Sequence, residues 1–377
     1  MKKKINFILI LLLLIECNDI KKQEENIITV DVTAKYPYKE LFLQDFMDVE
    51  YVPLETTDEF LCQGNVWAVG EKIVVATNFD FRGNIFLFSR DGKALKKINR
   101  KGQGGEEYTL FNRIVLDEEN EELFVNDISK KILVYDLEGN FKRKISWEGD
   151  LRPSEMYNFD HGNLICRNDF HNNIGQSFFL LSKQDGHITK EIQIPFEKKK
   201  SIVIWSQDRK MTYHPQIAHP IMPYFDSYAL MDYSADTLYS YSLDNKLKPL
   251  IVRTPSIQSM NPEIYLLSSL FTERYYFMVA IEKTIEFSST YLLYDKQEKS
   301  LFRYKVYNRD YSDYTTRRKA FLGSRPLNGE IPLFQYLEAG ELIQDYESGV
   351  LKGCLKDIAS KLKEDDNPVI MLIKYKK

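Results

Sequence analysis

The 377-residue chain is poor in the residues that most often announce a chemistry: it has four Cys, five His and three Trp. So few cysteines exclude a disulfide framework. Setting Cys17 aside for the reason given below, Cys62, Cys166 and Cys354 have no metal-ligand spacing and can form at most one disulfide. The histidines are His161, His171, His187, His214 and His219. The last two are five apart with Pro215 between them, which excludes a helical metal pair, and no Cys or acidic ligand lies nearby. No D-x-D-x-D-G calcium loop and no G-x-S-x-G nucleophile elbow is present, so neither a metal nor a cofactor is expected. The chain also lacks a basic excess. Lys and Arg number 51 against 55 Asp and Glu, a net charge of −4, which leaves no electrostatic footprint for nucleic acid.

A membrane-spanning run is missing as well. The apolar stretch from Ile5 to Ile15, broken only by Asn6, has eleven residues, whereas a span needs roughly 17–25. With Lys2, Lys3 and Lys4 before it, this stretch reads as an export signal. It ends in "LLLIEC", a cysteine where a bacterial lipoprotein signal places its acylation site. Glu16 stands where Gly, Ala or Ser is usual. Residues 1–16 are therefore expected to be removed, leaving Cys17 as a lipidated first residue and 17–26, "CNDIKKQEEN", as a polar tether. Loss of three Lys and one Glu leaves 48 basic and 54 acidic residues, net −6.

Aromatic residues are abundant: 24 Tyr and 23 Phe bring the aromatic share to 13%, which favours strands. The chain also repeats itself. "FLFSRDGKALKKI" (86–98), "LVYDLEGNFKRKI" (133–145) and "FLLSKQDGHITKEIQI" (179–194) are each an apolar strand, an acidic-Gly turn and a second strand. The turns, at Asp91-Gly92, Glu138-Gly139 and Asp185-Gly186, are spaced by 47 residues. Looser copies occur at 241–252 and 292–306, with turn acids Asp244 and Asp295. One period holds four short strands, in the second Arg113–Leu116, Glu122–Asn126, Ile132–Tyr135 and Lys142–Ser146. This is the signature of a propeller blade. Helical periodicity is nearly absent before residue 348, which argues against a parallel α/β sheet. The exception is 348–363, where Val350, Leu351, Leu355, Ile358 and Leu362 share a helix face.

"RKGQGGEEYTL" (100–110) looks at first like a phosphate loop. It has no Lys-Ser/Thr pair and no helical period after it, so it reads as a crossover from one blade to the next. "VEYVPLETTDEFL" (49–61), "GQGGEEY" (102–108), the Asp-Gly hairpins and "EDDNPVIMLIKYK" (364–376) together resemble the six-bladed β-propeller lipoproteins of Bacteroidetes-type bacteria. Gly105 stands where that family usually has proline. The resemblance spans the mature chain and implies an all-β, six-bladed fold, export and a lipid anchor, with no defined chemistry. Residues 27–377 are then one propeller domain. A ring needs closure, and the β-prone "NIITVDVT" (26–33) is expected to complete the last blade beside "PVIMLIKYK" (368–376). The repeat length alone would allow seven blades; long insertions near 195–225 and 305–330 favour six.

Adjacent acids, such as Glu106-Glu107, Glu118-Glu119, Glu121-Glu122 and Asp365-Asp366, point into water rather than across a cleft. "KKKS" (198–201) and "TTRRKA" (315–320) read as solubilising loops. The long, aromatic segment 201–228 is the best candidate for function. Within it Trp205, Tyr213, His214 and Tyr224 are candidates for a ligand-facing rim, and Arg113 for the channel mouth. The expectation is an exported, lipid-anchored, monomeric and non-catalytic binding module. Its partner would be a glycan, a peptide or an envelope protein. The rivals are a glycan-processing lyase or hydrolase, and a structural subunit of an envelope complex.

Overall fold

The computed structural model describes residues 27–147, 151–168, 177–206, 210–215, 219–312 and 318–376. The signal segment, Cys17, the tether and His171 lie outside the described residues. The chain forms a six-bladed β-propeller. Blade 1 is Asn65–Val69, Ile73–Thr77, Ile85–Ser89 and Ala94–Ile98. Blade 2 is Phe111–Asp117, Glu122–Asp127, Lys131–Asp136 and Phe141–Ser146. Blade 3 is Pro153–Asn158, Asn163–Asn168, Phe178–Ser182 and Ile188–Ile192. Each is a four-stranded antiparallel meander. Blade 4 (Ile221–Tyr224, Ser227–Leu230, Thr237–Ser242, Leu247–Thr254) and blade 5 (Ile264–Phe271, Tyr275–Glu282, Ser289–Asp295, Ser300–Tyr307) follow the same plan. Each then gains a fifth, parallel strand from the N-terminal segment, Ile28–Asp31 on blade 4 and Tyr38–Phe42 on blade 5.

Why these segments sit where they do follows from their patterning. The second strands are enclosed between neighbouring blades, and Ile73–Thr77 and Glu122–Asp127 are buried at every residue. The outer strands Ala94–Ile98 and Phe141–Ser146 alternate, and their lysines keep an exposed edge from recruiting another strand. Six apolar clusters fill the six junctions between successive blades. Val115, Phe124, Met156 and Phe179 join blades 2 and 3, for example. Val52, Phe86, Phe334 and Ile370 join blade 6 back to blade 1. The ring is closed by core packing as well as by strand pairing.

Closure uses an N-terminal strand, but not the expected segment. Met47–Pro53 pairs antiparallel along the whole of Val369–Tyr375, which pairs in turn with Leu333–Leu337 to make blade 6. Residues 28–31, expected in that role, lie two blades away on blade 4. Two of the family-like motifs meet at this closure. The Asn367 amide donates to the carbonyls of Glu55 (2.8 Å) and Phe60 (2.7 Å) and accepts from Cys62 N–H (2.8 Å). "PLETT" and "NPV" are thus two halves of one clasp.

The acidic-Gly hairpins also bind the blades together. Gly92 and Gly186 have φ of +91° and +79°, which glycine adopts without strain. A Cβ on Gly186 would lie 2.2 Å from Ile145 Cγ2, on the outer strand of the preceding blade, and one on Gly92 would lie 2.1 Å from the Pro53 carbonyl. In blades 4 and 5 the equivalent positive φ falls to Asn245 and Lys299, which is why those repeats look looser in sequence. The crossover at 100–110 is held by buried Tyr108, whose hydroxyl donates to the Gly83 carbonyl at 2.7 Å. The helical stretch near 348–363 contains a helix, Gly353–Ala359, preceded by a second, Ala339–Glu347. Among the described residues no helix is long and apolar enough to cross a membrane.

Candidate ligand site on the propeller axis

The innermost strands begin around one axial cavity of about 820 Å³ and end around a wider depression of about 1360 Å³ on the opposite face. Asn65, Asn112 and Ser154 line the first; Gly70, Leu116 and Asn158 line the second. Arg113 and Arg325 line both, so they stand at the waist between them.

Arg113 comes from the inner strand of blade 2 and Glu155 from that of blade 3, 3.4 Å apart as an ion pair. Both side chains are almost wholly enclosed. Burial by itself would raise the Glu155 carboxyl. The His219 imidazole (3.8 Å away) and the charges of Arg113 and Arg167 outweigh it and hold the group below the usual carboxylate range. The carboxylate is thus a fixed negative charge. Arg167, on the second strand of blade 3, lies over the Tyr233 ring at 4.8 Å. Burial raises the Tyr233 phenol to about 12, so it stays neutral.

Arg325 enters from blade 6. The innermost position of that blade is filled by the irregular segment 320–328, in which Pro326 has no N–H for a ladder. The Ser324 hydroxyl accepts from Phe334 N–H, and Leu327 N–H donates to the Ile331 carbonyl. The segment lays the Arg325 guanidinium on the Trp67 ring, 3.9 Å from its centroid, and Arg113 also faces that ring at 5.8 Å. Arg325 donates to the Val66 carbonyl, which ties blade 6 to blade 1. At the mouth Phe79, Phe321 and Tyr336 are each about half exposed, and the Phe79 and Tyr336 rings are 5.4 Å apart. Glu338, Glu341 and Asp345, on and just before the helix Ala339–Glu347, bring acids to the same wall.

The sequence candidates divide. Arg113 and His214 line the axial cavity. Trp205 and Tyr213 lie on a small exposed hairpin, Ile204–Trp205 with Thr212–Tyr213, outside the cavity lining. Tyr224 is packed between blades 4 and 5, its ring edge-on to Phe271 and its hydroxyl donating to Ser240 at 2.7 Å. The reason is strand direction: Tyr224 ends the inner strand of blade 4 at the far face, away from the mouth. Glu155, Arg167 and Arg325 were not singled out from sequence, and His219 was weighed only as one of a metal pair with His214. For Arg325 the available signal was "GSRPLNG", an arginine between turn residues inside a long insertion. Among the described residues no group of three or more His, Cys, Asp or Glu is placed to hold a metal ion, and Cys62, Cys166 and Cys354 are free thiols.

A closed ring of six antiparallel blades around an axial cavity defines the class of this fold, a six-bladed β-propeller. The chain belongs to the DUF4934 family, a domain of unknown function, whose model matches residues 27–374. Among solved structures it is similar to a "Putative exported protein" from Bacteroides fragilis, at 16% identity and a TM-score of 0.61, covering 93% of this chain and 100% of that one. More distant similarities are to virginiamycin B lyase from Staphylococcus aureus (10% identity, TM-score 0.36, 68% and 88% covered) and to the WD40 propeller domain of Doa1 (13%, 0.34, 67% and 71%). No match was found among curated proteins.

Proposed function

We propose that this chain is an exported, lipid-anchored propeller, acting as a monomer, that captures a ligand in its axial cavity without transforming it. The observation that supports this reading most is the cavity itself. Its volume of about 820 Å³ falls in the range of small-molecule sites, and an aromatic mouth over a few convergent polar groups is the usual composition of such sites. The signal segment and Cys17 support export and anchoring, and the exported character named for the Bacteroides fragilis relative agrees with them. Anchoring is tested by fractionating cells that express the full chain. Cys17→Ser should move the protein from the membrane to the soluble envelope fraction, and an unchanged distribution would overturn it. Capture is tested by retention of envelope components on the purified protein, with Phe79→Ala/Tyr336→Ala as the control that should lose them.

A second reading, a lyase or hydrolase, is favoured by one observation: His219 and Glu155 share the cavity. A general acid needs a carboxyl raised toward neutrality, and Glu155 is shifted the other way. Turnover of any captured glycan that is lost in His219→Ala would nevertheless promote the enzyme.

A further inference from the structure

The floor of the axial cavity holds more positive charge than it neutralises. Arg113 and Arg325 face one carboxylate there, Glu155. Arg113 is 7% exposed, so its charge cannot be dismissed as solvated. The Nε groups of Arg113 and Arg325 are buried and donate to nothing, and Glu155 Oε2 is buried and accepts from nothing. Buried polar atoms are normally satisfied, and a guanidinium does not escape by shedding its proton. Desolvation, and after it repulsion from Arg113, push Arg325 down to about 9; the attraction of an anion arriving beside it would offset both.

The unsatisfied atoms specify more than charge. Two buried donors on guanidinium groups suit one carboxylate-sized anion. The free acceptor on Glu155 asks for a hydroxyl or amide donor on the same ligand. The rings of Phe79 and Tyr336 at the mouth offer apolar faces for the body of that ligand. Lys319, bridged to blade 5, also lines the cavity, and the remaining acids, Glu338, Glu341 and Asp345, stand on the blade 6 wall. They make the mouth unfavourable for a polyanion but leave the floor open to a single negative group.

We propose that the axial cavity takes an acidic sugar, a hydroxylated ring bearing one carboxylate, with the carboxylate on Arg113 and Arg325, a hydroxyl on Glu155 Oε2 and a ring face on Phe79 and Tyr336. This deepens the binding-module reading and rests on it. The test is isothermal titration of the purified mature protein against four probes. These are an unsulfated glucuronate-containing tetrasaccharide, the same oligosaccharide with its carboxyls reduced to alcohols, benzoate, and heparin. The acidic tetrasaccharide should bind, its reduced counterpart and heparin roughly tenfold or more weaker. Benzoate, lacking hydroxyls, should also be weaker. Arg325→Gln should lose the preference for the acidic sugar while the protein stays folded, read by circular dichroism. Glu155→Gln should keep the carboxylate site but lower stability, since Arg113 then loses its counter-charge.

Equal affinity for the acidic and reduced sugars would overturn the inference and leave the binding reading intact. Benzoate binding as well as the sugar would overturn the assignment to a sugar, and preferred heparin would overturn the single-anion geometry. Failure of all four probes would also overturn the inference. The binding reading falls by a separate result: retention of envelope components that is indifferent to Phe79→Ala/Tyr336→Ala.

Discussion

Blades 1 to 3 and blades 4 to 6 are built on one plan but differ in regularity. The first three are plain four-stranded meanders with glycine at each outer turn. The other three accept strands from the N-terminal segment, replace turn glycines with Asn245 and Lys299, and carry the two helices Ala339–Glu347 and Gly353–Ala359. The regular half supplies fixed charges from rigid strands, Arg113 and Glu155 on inner strands and Arg167 on the second strand of blade 3. The irregular half supplies the cover and the adjustable parts, Arg325, His219, Phe321 and Tyr336. A repeat fold can vary its site without disturbing its core because insertions enter between strands, where few buried backbone groups must be re-paired.

The sharpest way to break this comparison is at the closure, where the two halves meet. Asn367→Ala should leave the Phe60 carbonyl and the Cys62 N–H buried without partners and free the Glu55 carbonyl. It should cost about 4 kcal/mol, read by urea denaturation; a loss below about 1 kcal/mol would show that strand pairing alone closes the ring. Next comes the seam that binds the second N-terminal strand to blade 5. Asp295 is fully enclosed, 2.7 Å from Lys39 and 2.8 Å from Arg274. Asp295→Ala should cost about 3 kcal/mol.

The same carboxylate gives a pH signature. Burial would raise it, but the hydrogen bonds from Arg274 and Lys39, with backbone N–H groups of Glu298 and Gln297, hold it well below the usual range. The native state therefore binds fewer protons than the unfolded chain in mild acid. The stability it contributes is complete above the unfolded carboxylate pKa, near 4, and is lost as pH falls through the lower native value. Asp295→Asn should flatten the acid limb of a plot of melting temperature against pH, and an unchanged slope would assign that limb to other carboxylates.

Two smaller effects compare the turns directly. Gly186→Ala should cost about 2 kcal/mol, because the added methyl meets Ile145 and the φ is positive. Lys299→Gly, at a positive φ held by a side-chain-bearing residue, should stabilise by about 1 kcal/mol. Should both changes be neutral, the regular turns would have no special part in holding blade to blade.

Much of the fold was legible because it is local. Apolar strands, acidic-Gly turns and a 47-residue spacing are short-range signals, and the second-repeat strands expected from them match those observed to within about two residues at each end. Closure was legible only in kind. "NIITVDVT" and "VEYVP" are both β-prone, and pairing partners hundreds of residues apart leave no local trace. Of the residues lining the axial cavity, sequence pointed to Arg113, which follows a recognisable crossover, and to His214. Trp205 and Tyr213 drew notice for being aromatic in a long loop, a property that does not tell a cavity wall from an exposed hairpin.

Composition, the recurrent hairpin and the two clasp motifs determined by themselves that this chain would wind into a ring of antiparallel blades, since each repeat has apolar faces that only a neighbour can cover. The tertiary structure alone decided which charges meet on the axis. Arg113, Glu155, Arg167 and Arg325 come from three blades and up to 212 positions apart in the chain. Only ring closure sets them side by side, where burial leaves ordinary surface-type residues with charges they must satisfy among themselves.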